Sequence, residues 1–353
     1  MFENPMVAID IGSTSIKVVE LAGKQQRKLS RMGQFPIPPG SIVNGVIRDF
    51  HAVERALAGA LRSAGGRRLL KRAAMSLGGS SVIVKRIRMS EGAMGVEDQV
   101  LAEAEQHFQM DVNDLYFDFQ TFSQGMTSAE KIVLLVGAKK EIVDDRVAVL
   151  KSAGLKIGVM DCDVFALTNT VEQNYGLLPG LIAIINVGTT ASQVIFLGNG
   201  QYLYTREIGL GGDHFTKAIA DAMGISYEDA ERAKQKDQRG ESVLSPEIQK
   251  TIAGVNEQFV SDLQMTVDFF FQSGEAPIDQ DRVKGIFLSG GGASSRKLAE
   301  SIAQKLSVPV ERVDPFKNIL VPKRFSRQYL RWVGPSFSTV LGLGLRRFED
   351  TRE

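Results

Sequence analysis

The chain has 353 residues, and its 42 Lys and Arg against 41 Asp and Glu leave a formal net charge of +1. This balance provides no general attraction to nucleic acid or to anionic lipid, so both classes of binder are disfavoured. The length suits about two ordinary domains or one two-lobed unit, and 43% hydrophobic with 24% charged residues is typical of a folded, soluble chain.

The single cysteine, Cys162, excludes an internal disulfide or a cysteine metal cluster and favours a reducing compartment. The N-terminal sequence lacks a basic start followed by an apolar core, so no secretory signal is predicted. The longest apolar run, residues 181–187, is too short to cross a bilayer. We expect a cytoplasmic protein that reaches membranes only through a partner or a surface.

The first predicted element is a β-hairpin over residues 7–21. An apolar, β-branched run is followed by Gly12 with neighbouring hydroxyl residues and then by a second β-branched run, which predicts two strands joined by a tight bend. A helix follows at residues 51–64. A mixed block then begins near residue 79, with strands at 81–89, 116–122 and 132–138 and helices at 96–108 and 141–153. This block predicts a small subdomain inserted into the first lobe.

The second half begins with a repeat of the first hairpin. Residues 183–197 align with residues 7–21 without a gap, so that Asn186 corresponds to Asp10 and Gly188 to Gly12. Two related lobes are therefore predicted. The remaining predicted elements are a strand end and helix start at 209–213, a helix capped by Ser226, a helix at 246–271, a strand at 283–289 before three glycines, a helix at 296–306 and a C-terminal small-residue helix at 334–345.

Two bends built from Gly, Ser and Thr suit phosphate binding, because backbone N–H groups and small hydroxyls can approach an anion closely. Lys17 would add a point charge for terminal phosphates. Asp10 would hold Mg²⁺ through water, since Mg²⁺ tends to keep part of its hydration shell. Asp161, at the predicted end of a strand, is a candidate for positioning water, and a role as helix N-cap is the alternative.

These pieces, in this order, resemble the ATP-binding superfamily of actin, heat-shock chaperones and sugar kinases. The resemblance implies an α/β, actin-like (ribonuclease H-type) two-lobed fold with a small inserted α+β subdomain, and ATP with Mg²⁺ as cofactors. Its implied lobes are residues 1–78 with 158–185 and residues 186–335, with the insertion at 79–157 and a C-terminal helix, 336–353, that returns to the first lobe. The implied nucleotide contacts are Asp10, Gly12, Ser13, Thr14, Ser15, Lys17, Asn186, Gly188, Thr189, Thr190, Gly211, Gly212, Asp213, Glu231, Lys234, Gly290, Gly291 and Gly292.

Within this superfamily, the insertion, the length and the segments 161–166 and 208–213 are similar to the PilM family, with the FtsA family as its nearest cousin. This similarity implies a scaffold of the type IV pilus machine that is peripheral to the inner membrane. The implied partners are the cytoplasmic N-terminal tail of PilN, the pilus motor ATPase, the platform protein and further copies of the chain in a ring. The alternatives are a filament-forming division protein like FtsA and a small-molecule kinase of the same superfamily.

One departure from the superfamily pattern concerns hydrolysis. The second phosphate motif usually begins with Asp, whereas Asn186 is neutral and offers a metal or a water only an amide oxygen. We therefore expect nucleotide binding with at most weak ATPase activity. A P-loop, an H-E-x-x-H zinc motif and a G-x-S-x-G nucleophile motif are absent from the sequence.

Overall fold

The computed structural model of the protein describes residues 5–23, 26–66, 69–90, 96–108, 111–122, 130–241, 243–277 and 281–347. The strands are, in chain order, β1 (Val7–Ile11), β2 (Ser15–Ala22), β3 (Lys28–Pro36), β4 (Ile42–Val43), β5 (Val46–Ile47), β6 (Arg72–Leu77), β7 (Val82–Ser90), β8 (Leu115–Phe122), β9 (Glu130–Lys139), β10 (Lys156–Cys162), β11 (Leu181–Val187), β12 (Ser192–Gly198), β13 (Gln201–Ile208), β14 (Gly285–Ser289) and β15 (Val310–Arg312). The α-helices are α1 (Phe50–Ala64), α2 (Val96–Phe108), α3 (Lys140–Ser152), α4 (Asp163–Tyr175), α5 (Gly212–Met223), α6 (Tyr227–Gln238), α7 (Pro246–Gln272), α8 (Arg296–Leu306), α9 (Arg327–Val333) and α10 (Ser338–Leu345).

The two largest sheets share one plan. The strand order is β10-β6-β1-β2-β3 in the first sheet and β13-β12-β11-β14-β15 in the second. β1 pairs antiparallel with β2 and parallel with β6, and β11 pairs in the same way with β12 and β14. The internal repeat therefore forms the central hairpin of each sheet, as the sequence predicts.

Helix starts are set by short polar side chains. Asp49, Ser226, Ser245, Ser295 and Ser326 each accept a hydrogen bond from the backbone N–H three residues later, at the first turns of α1, α6, α7, α8 and α9. Each such cap contributes about 1 kcal/mol to helix stability. The predicted cap at Ser226 is confirmed, and the predicted helices 96–108 and 296–306 coincide with α2 and α8.

The insertion is built on a three-stranded antiparallel sheet in the order β7-β9-β8. α2 covers one face, where Val100 and Phe108 pack with Ile87 and Leu135. The insertion is thus an α+β unit. Its predicted end at residue 157 is too late, because the last turns of α3 lie in the core of the first lobe, where Val149 packs.

The limits predicted for the second lobe, residues 186–335, also differ from the structure. Leu181 begins β11, the central strand of the second sheet, so the lobe starts no later than residue 181 rather than at residue 186. At the other end, Leu320 pairs with Lys28 at the edge of the first sheet, and Leu330 packs in that sheet's core. The first error cuts through the strand that the repeat itself predicts, whereas the second arises from contacts between segments that are distant in sequence.

The lobes are joined through α4 and α10. α4 presents Leu167 to the core of the second sheet and Ala166 to that of the first. Where α10 crosses α4, a Cβ on Gly342 would lie 1.8 Å from the carbonyl oxygen of Ala166, so this approach requires glycine. α10 packs on β1 and β2, as predicted for the returning helix, and residues 348–353 lie outside the described residues.

Candidate functional site

The turn between β1 and β2 forms a tight loop, here called the first bend (residues 12–14). The N–H of Gly12 donates to the carbonyl oxygen of Ser15 at 3.1 Å. Asp10 and Lys17 lie opposite each other across the hairpin, and Lys17 Nζ is 3.1 Å from Asp10 Oδ2. The two side chains are only 15% and 12% exposed, so the ion pair is shielded from bulk solvent.

The turn between β11 and β12, here called the second bend (residues 188–190), has the same backbone shape. The N–H of Gly188 donates to the carbonyl oxygen of Ala191 at 3.1 Å. A Cβ on Gly188 would lie 2.7 Å from that oxygen, so the bend needs glycine. The cross-strand pair at this hairpin is Asn186 and Gln193, two neutral amides in place of an ion pair.

The two bends meet across the lobes. Thr14 Oγ1 lies 3.1 Å from Thr189 Oγ1, within hydrogen-bond distance. The hydroxyls of the two bends therefore face one shared space.

α5 starts directly against the second bend. The N–H groups of Gly212 and Asp213 donate to the carbonyl oxygens of Gly188 and Thr189, at 2.9 and 2.8 Å. A Cβ on Gly211 would lie 2.5 Å from the carbonyl oxygen of Thr189. Gly211 thus permits this packing and, contrary to its predicted role, is not part of the cleft lining described below.

Glu231 and Lys234 on α6 face the start of α5. Lys234 Nζ lies 2.6 Å from Glu231 Oε2 and donates to the carbonyl oxygen of Gly212 at 3.1 Å and to Thr216 Oγ1 at 2.6 Å. Burial alone would raise the pKa of Glu231, but Lys234 and the Thr216 hydroxyl hold it below its ordinary value. The pair is therefore a charged, hydrogen-bonded unit rather than two solvated surface residues.

The three glycines after β14 press the backbone against the end of β11. Gly290 has a φ of +87°, and a Cβ there would lie 2.4 Å from the carbonyl oxygen of Val187. A Cβ on Gly292 would lie 2.2 Å from Cγ1 of the same valine. Gly291, by contrast, has no neighbour within 4 Å of its Cβ position and borders open space.

These elements enclose a cleft of about 1490 Å³ between the lobes. That volume exceeds what a drug-sized ligand usually fills. Among the predicted residues, the cleft is lined by Asp10, Gly12, Ser13, Thr14, Ser15, Lys17, Asn186, Gly188, Thr189, Thr190, Gly212, Asp213, Glu231, Lys234, Gly290, Gly291 and Gly292.

Asp161 lies outside this lining, which corrects the sequence prediction. Its Oδ1 accepts from the N–H of Cys162 at 2.7 Å, and its Oδ2 lies 3.3 Å from Arg346 Nε. Asp161 is the next-to-last residue of β10 and so lies at the end of a strand, as predicted. It is not the N-cap of α4, since Cys162 holds that position.

Asp163, two residues later, occupies the cleft floor instead. Its Oδ1 accepts from Ser76 Oγ at 2.5 Å, and a Cβ on Gly78 would lie 1.9 Å from its Oδ2. Burial raises the pKa of Asp163 to about 6, and the negative charge of Asp10 adds to the rise. The only sequence signal for this role is Gly78, which follows β6 and leaves room for the carboxylate.

Arg146 on α3 is a buried cation beneath the first bend, only 4% exposed. It donates from Nη1 to the carbonyl oxygen of Ile11 at 3.3 Å and from Nη2 to that of Gly45 at 3.1 Å. Burial lowers the pKa of Arg146, while Asp163 and Asp10 act in the opposite direction. Nothing in the sequence pattern distinguishes this arginine from the solvated residues of a surface helix.

Within the described ranges, no three His, Cys, Asp or Glu side chains are grouped so that they could hold a metal ion. In the same part of the chain, no helix combines the length and the apolar character needed to span a membrane.

The chain matches known proteins over most of its length. A family model described as type IV pilus assembly protein PilM covers residues 8–348. The cell division protein FtsA of Bacillus subtilis (strain 168) is 23% identical over an alignment of 287 residues, and the match covers 71% of this chain and 63% of FtsA. The chain thus spans less than two thirds of the length of that relative.

Solved structures show similar folds. The PilM-PilN type IV pilus biogenesis complex aligns with a TM-score of 0.84 and 25% identity, over 98% of this chain and 99% of that one. MreB5 of Spiroplasma citri bound to AMPPNP aligns with a TM-score of 0.52 and 13% identity, over 100% and 98% of the two chains. The ethanolamine utilization protein EutJ from Carboxydothermus hydrogenoformans aligns with a TM-score of 0.58 and 14% identity, over 98% and 90%.

The last two similarities concern the fold alone. The fold of this chain is actin-like, with two lobes and an inserted subdomain. The family match extends through both lobes and the insertion. The chain therefore belongs to the PilM family of type IV pilus assembly proteins.

Proposed function

We propose that this protein is an ATP-binding scaffold of the type IV pilus assembly machine, in which the nucleotide bridges the lobes and sets the surface offered to partners. The contact of Thr14 with Thr189, 3.1 Å apart at a large interlobe cleft, carries this proposal. A ligand that bonds to both bends favours the closed arrangement by its differential affinity for the closed and open states. Catalytic turnover is secondary in this scheme.

The phosphates are assigned to the two bends. Lys17 supplies a cation at the first bend, and the hydroxyls of Ser13, Thr14, Thr189 and Thr190 supply small donors on both sides. The sugar and base are assigned to the rest of the cleft, along Glu231 and Lys234 and over the open backbone at Gly291.

Mg²⁺ fits this site through water rather than through direct carboxylate coordination. Lys17 Nζ lies 3.1 Å from Asp10 Oδ2, so this oxygen already has a partner. The carboxylate can still accept hydrogen bonds from the water molecules of a hydrated ion. When bound, the ion would neutralise phosphate charge. Asp10 is the residue assigned to hold it.

Hydrolysis is assigned a minor role. Asp163 replaces Asp161 as the carboxylate that orients or deprotonates a water, because it lies on the cleft floor. A carboxyl group with a pKa near 6 is suited to accept a proton near neutral pH. Asn186 leaves the second bend without the carboxylate that would help to order a metal and its water.

The partner is assigned from the similarity to a PilM-PilN complex at a TM-score of 0.84. We propose that the chain binds the cytoplasmic N-terminal segment of its PilN and is held at the cytoplasmic face of the inner membrane through that contact. Association with the pilus motor ATPase, with the platform protein and with further copies in a ring belongs to the same proposal.

The test measures ATP affinity by titration calorimetry, with and without Mg²⁺, in the wild type and in Gly12→Arg. The arginine places bulk in the first bend, where even a Cβ would lie 3.3 Å from the carbonyl oxygen of Ser15. Binding should be abolished while the thermal unfolding midpoint stays within a few degrees. Gly254→Arg is the matched control, because Gly254 is exposed on α7 with open space around it. Equal ATP affinity in the two variants would remove the site assignment.

A PilN N-terminal peptide is then titrated into the wild type with and without ATP. The scaffold proposal expects a change in peptide affinity of about fivefold or more, the lower end of common coupling between sites. Unchanged affinity would separate nucleotide binding from partner binding and contradict the scaffold mechanism.

A filament-forming division protein is the second candidate, favoured by the similarity to FtsA over 71% of this chain. Sedimentation with ATP distinguishes the two: polymer in the pellet supports the filament former, and a constant small species supports the scaffold.

A further inference from the structure

α3 spans the junction between the insertion and the first lobe. Near its start, Ile142 packs with Ala138 of β9, and near its end Val149 and Leu150 lie in the core of the first lobe. Because packed interiors deform little, such a helix moves as a unit. A displacement at one end is therefore passed to the other.

Arg146 ties the middle of this helix to the phosphate end of the cleft. Its guanidinium holds the carbonyl oxygen of Ile11, the residue that precedes Gly12 in the first bend, and the carbonyl oxygen of Gly45. Burying a guanidinium costs several kcal/mol unless neighbouring groups compensate. Here the carboxylates of Asp10 and Asp163 stabilise the charged form of Arg146, and both residues line the same cleft.

The exposed face of α3 is tied to the insertion. Tyr116 on β8 donates from its hydroxyl to Asp144 Oδ1 at 3.3 Å, and Lys140 Nζ donates to the carbonyl oxygen of Asn113 at 2.7 Å. The Lys140 ammonium also lies 5.5 Å from the centre of the Tyr116 ring. A continuous set of contacts thus runs from the first bend through Arg146 and α3 to β8.

We infer that Arg146 is a positioning residue that couples a polyphosphate in the cleft to the orientation of the inserted subdomain. This inference rests on the proposed function, since it assumes a polyanion at the first bend. The anion attracts Arg146 and repels Asp163, so the balance of forces on the guanidinium changes when the anion enters. Because Arg146 is fixed to α3, that change reaches the contacts of α3 with β8.

The test is amide hydrogen–deuterium exchange of the full chain with and without ATP and Mg²⁺. In the wild type, ATP should change exchange rates in residues 115–122 and 140–152 by about fivefold or more. In Arg146→Gln the change in both segments should fall below about twofold, while ATP affinity measured by calorimetry stays within about tenfold of wild type. Arg146→Lys, which keeps the charge with fewer donors, should restore part of the response. Lys151→Gln on the exposed side of the same helix is the matched control and should respond like wild type.

The double variant Tyr116→Ala/Lys140→Ala removes the contacts between α3 and β8. Tyr116 is exposed and Lys140 is half-buried, so the variant avoids disturbing the buried cluster around Arg146. It should keep the response in α3 and lose it in β8. If Arg146→Gln does not fold, this variant alone decides, and a full response in β8 overturns the inference.

A full insertion response in Arg146→Gln would likewise overturn the inference, as would loss of ATP binding in a folded Arg146→Gln. Absence of ATP binding in the wild type would instead refute the proposed function. A wild type that binds ATP without any change in the insertion refutes the inference alone.

Discussion

The first and second bends have the same backbone geometry and different charges. In both, a glycine N–H closes the turn at 3.1 Å onto a carbonyl oxygen three residues later. At the same cross-strand position, however, the first hairpin carries Asp10 and Lys17 and the second carries Asn186 and Gln193. The floor beneath the first bend adds two more charged groups, Asp163 and Arg146.

The difference indicates a division of labour. Backbone groups and hydroxyls can hold phosphate oxygens from both sides, whereas stabilisation of charge and handling of protons fall to the first lobe. Under the proposed function, such a site holds a nucleotide from both lobes, takes its charged contacts at the phosphates from the first hairpin, and hydrolyses the nucleotide slowly. Three experiments test this contrast between the hairpins.

The largest effect is expected from removing the cation of the first bend. Lys17→Met should weaken ATP binding by about 10- to 100-fold, because a charge-assisted hydrogen bond contributes about 1.5–3 kcal/mol and Asp10 would be left unpaired beside the phosphates. Gln193→Met, at the equivalent position of the second hairpin, should change the dissociation constant by less than about threefold. Calorimetric titration of both variants measures the difference, and equal losses would contradict the proposed asymmetry.

An intermediate effect is expected from Asp163→Asn. It is measured as the free energy of unfolding at several pH values in the absence of nucleotide. The pKa of Asp163 is raised from 3.8 to about 6 in the folded chain, so the native state binds more protons than the unfolded state in this window. The free energy of unfolding of the wild type therefore falls as pH rises from about 4 to 6 and stays lower above it. Asparagine cannot ionise, so the free energy of unfolding of Asp163→Asn does not fall for this reason as the pH rises.

Asp163→Asn should accordingly be more stable than wild type by about 1–3 kcal/mol at pH 7.5, with the difference disappearing near pH 4. Denaturant unfolding at several pH values measures it. A constant difference across this range would show that the carboxylate has an ordinary pKa. The same variant should lose any residual ATP hydrolysis.

The smallest effect is expected from making the second hairpin resemble the first. Asn186→Asp should raise the rate of phosphate release from ATP by about tenfold, or about 1.4 kcal/mol in the barrier, because a second carboxylate can order a hydrated metal. Gln193→Glu adds the same charge on the neighbouring strand and serves as control. If both variants accelerate hydrolysis equally, general charge rather than position is responsible.

The parts of this site that are visible in the sequence are those with local causes. Gly12 and Gly188 mark their bends because a tight turn needs glycine within a few residues of a β-branched run. The repeat then places the two bends in equivalent positions of two lobes, and their contact follows from the fold.

Asp163 and Arg146 remain hidden because their roles depend on distant segments. Asp163 gains its environment from Ser76 on β6 and from Gly78 just after that strand, and Arg146 gains its own from Ile11 and Gly45. The spacing of residues within α3 or α4 carries no trace of these neighbours. The end of the second lobe is likewise hidden in the sequence, because the pairing of Leu320 with Lys28 joins segments that are far apart in the chain.

The glycine contact between α4 and α10 has a mechanical consequence. With the Gly342 Cβ position only 1.8 Å from the Ala166 carbonyl oxygen, the two helix backbones touch and have no side chain between them that could act as a spacer. Helices in such contact can pivot about the point of crossing, but they separate only at the cost of their shared packing. Opening of the cleft would thereby proceed by rotation about this crossing, and a bulkier residue at Gly342 would force the two helices apart although Gly342 lies outside the cleft lining.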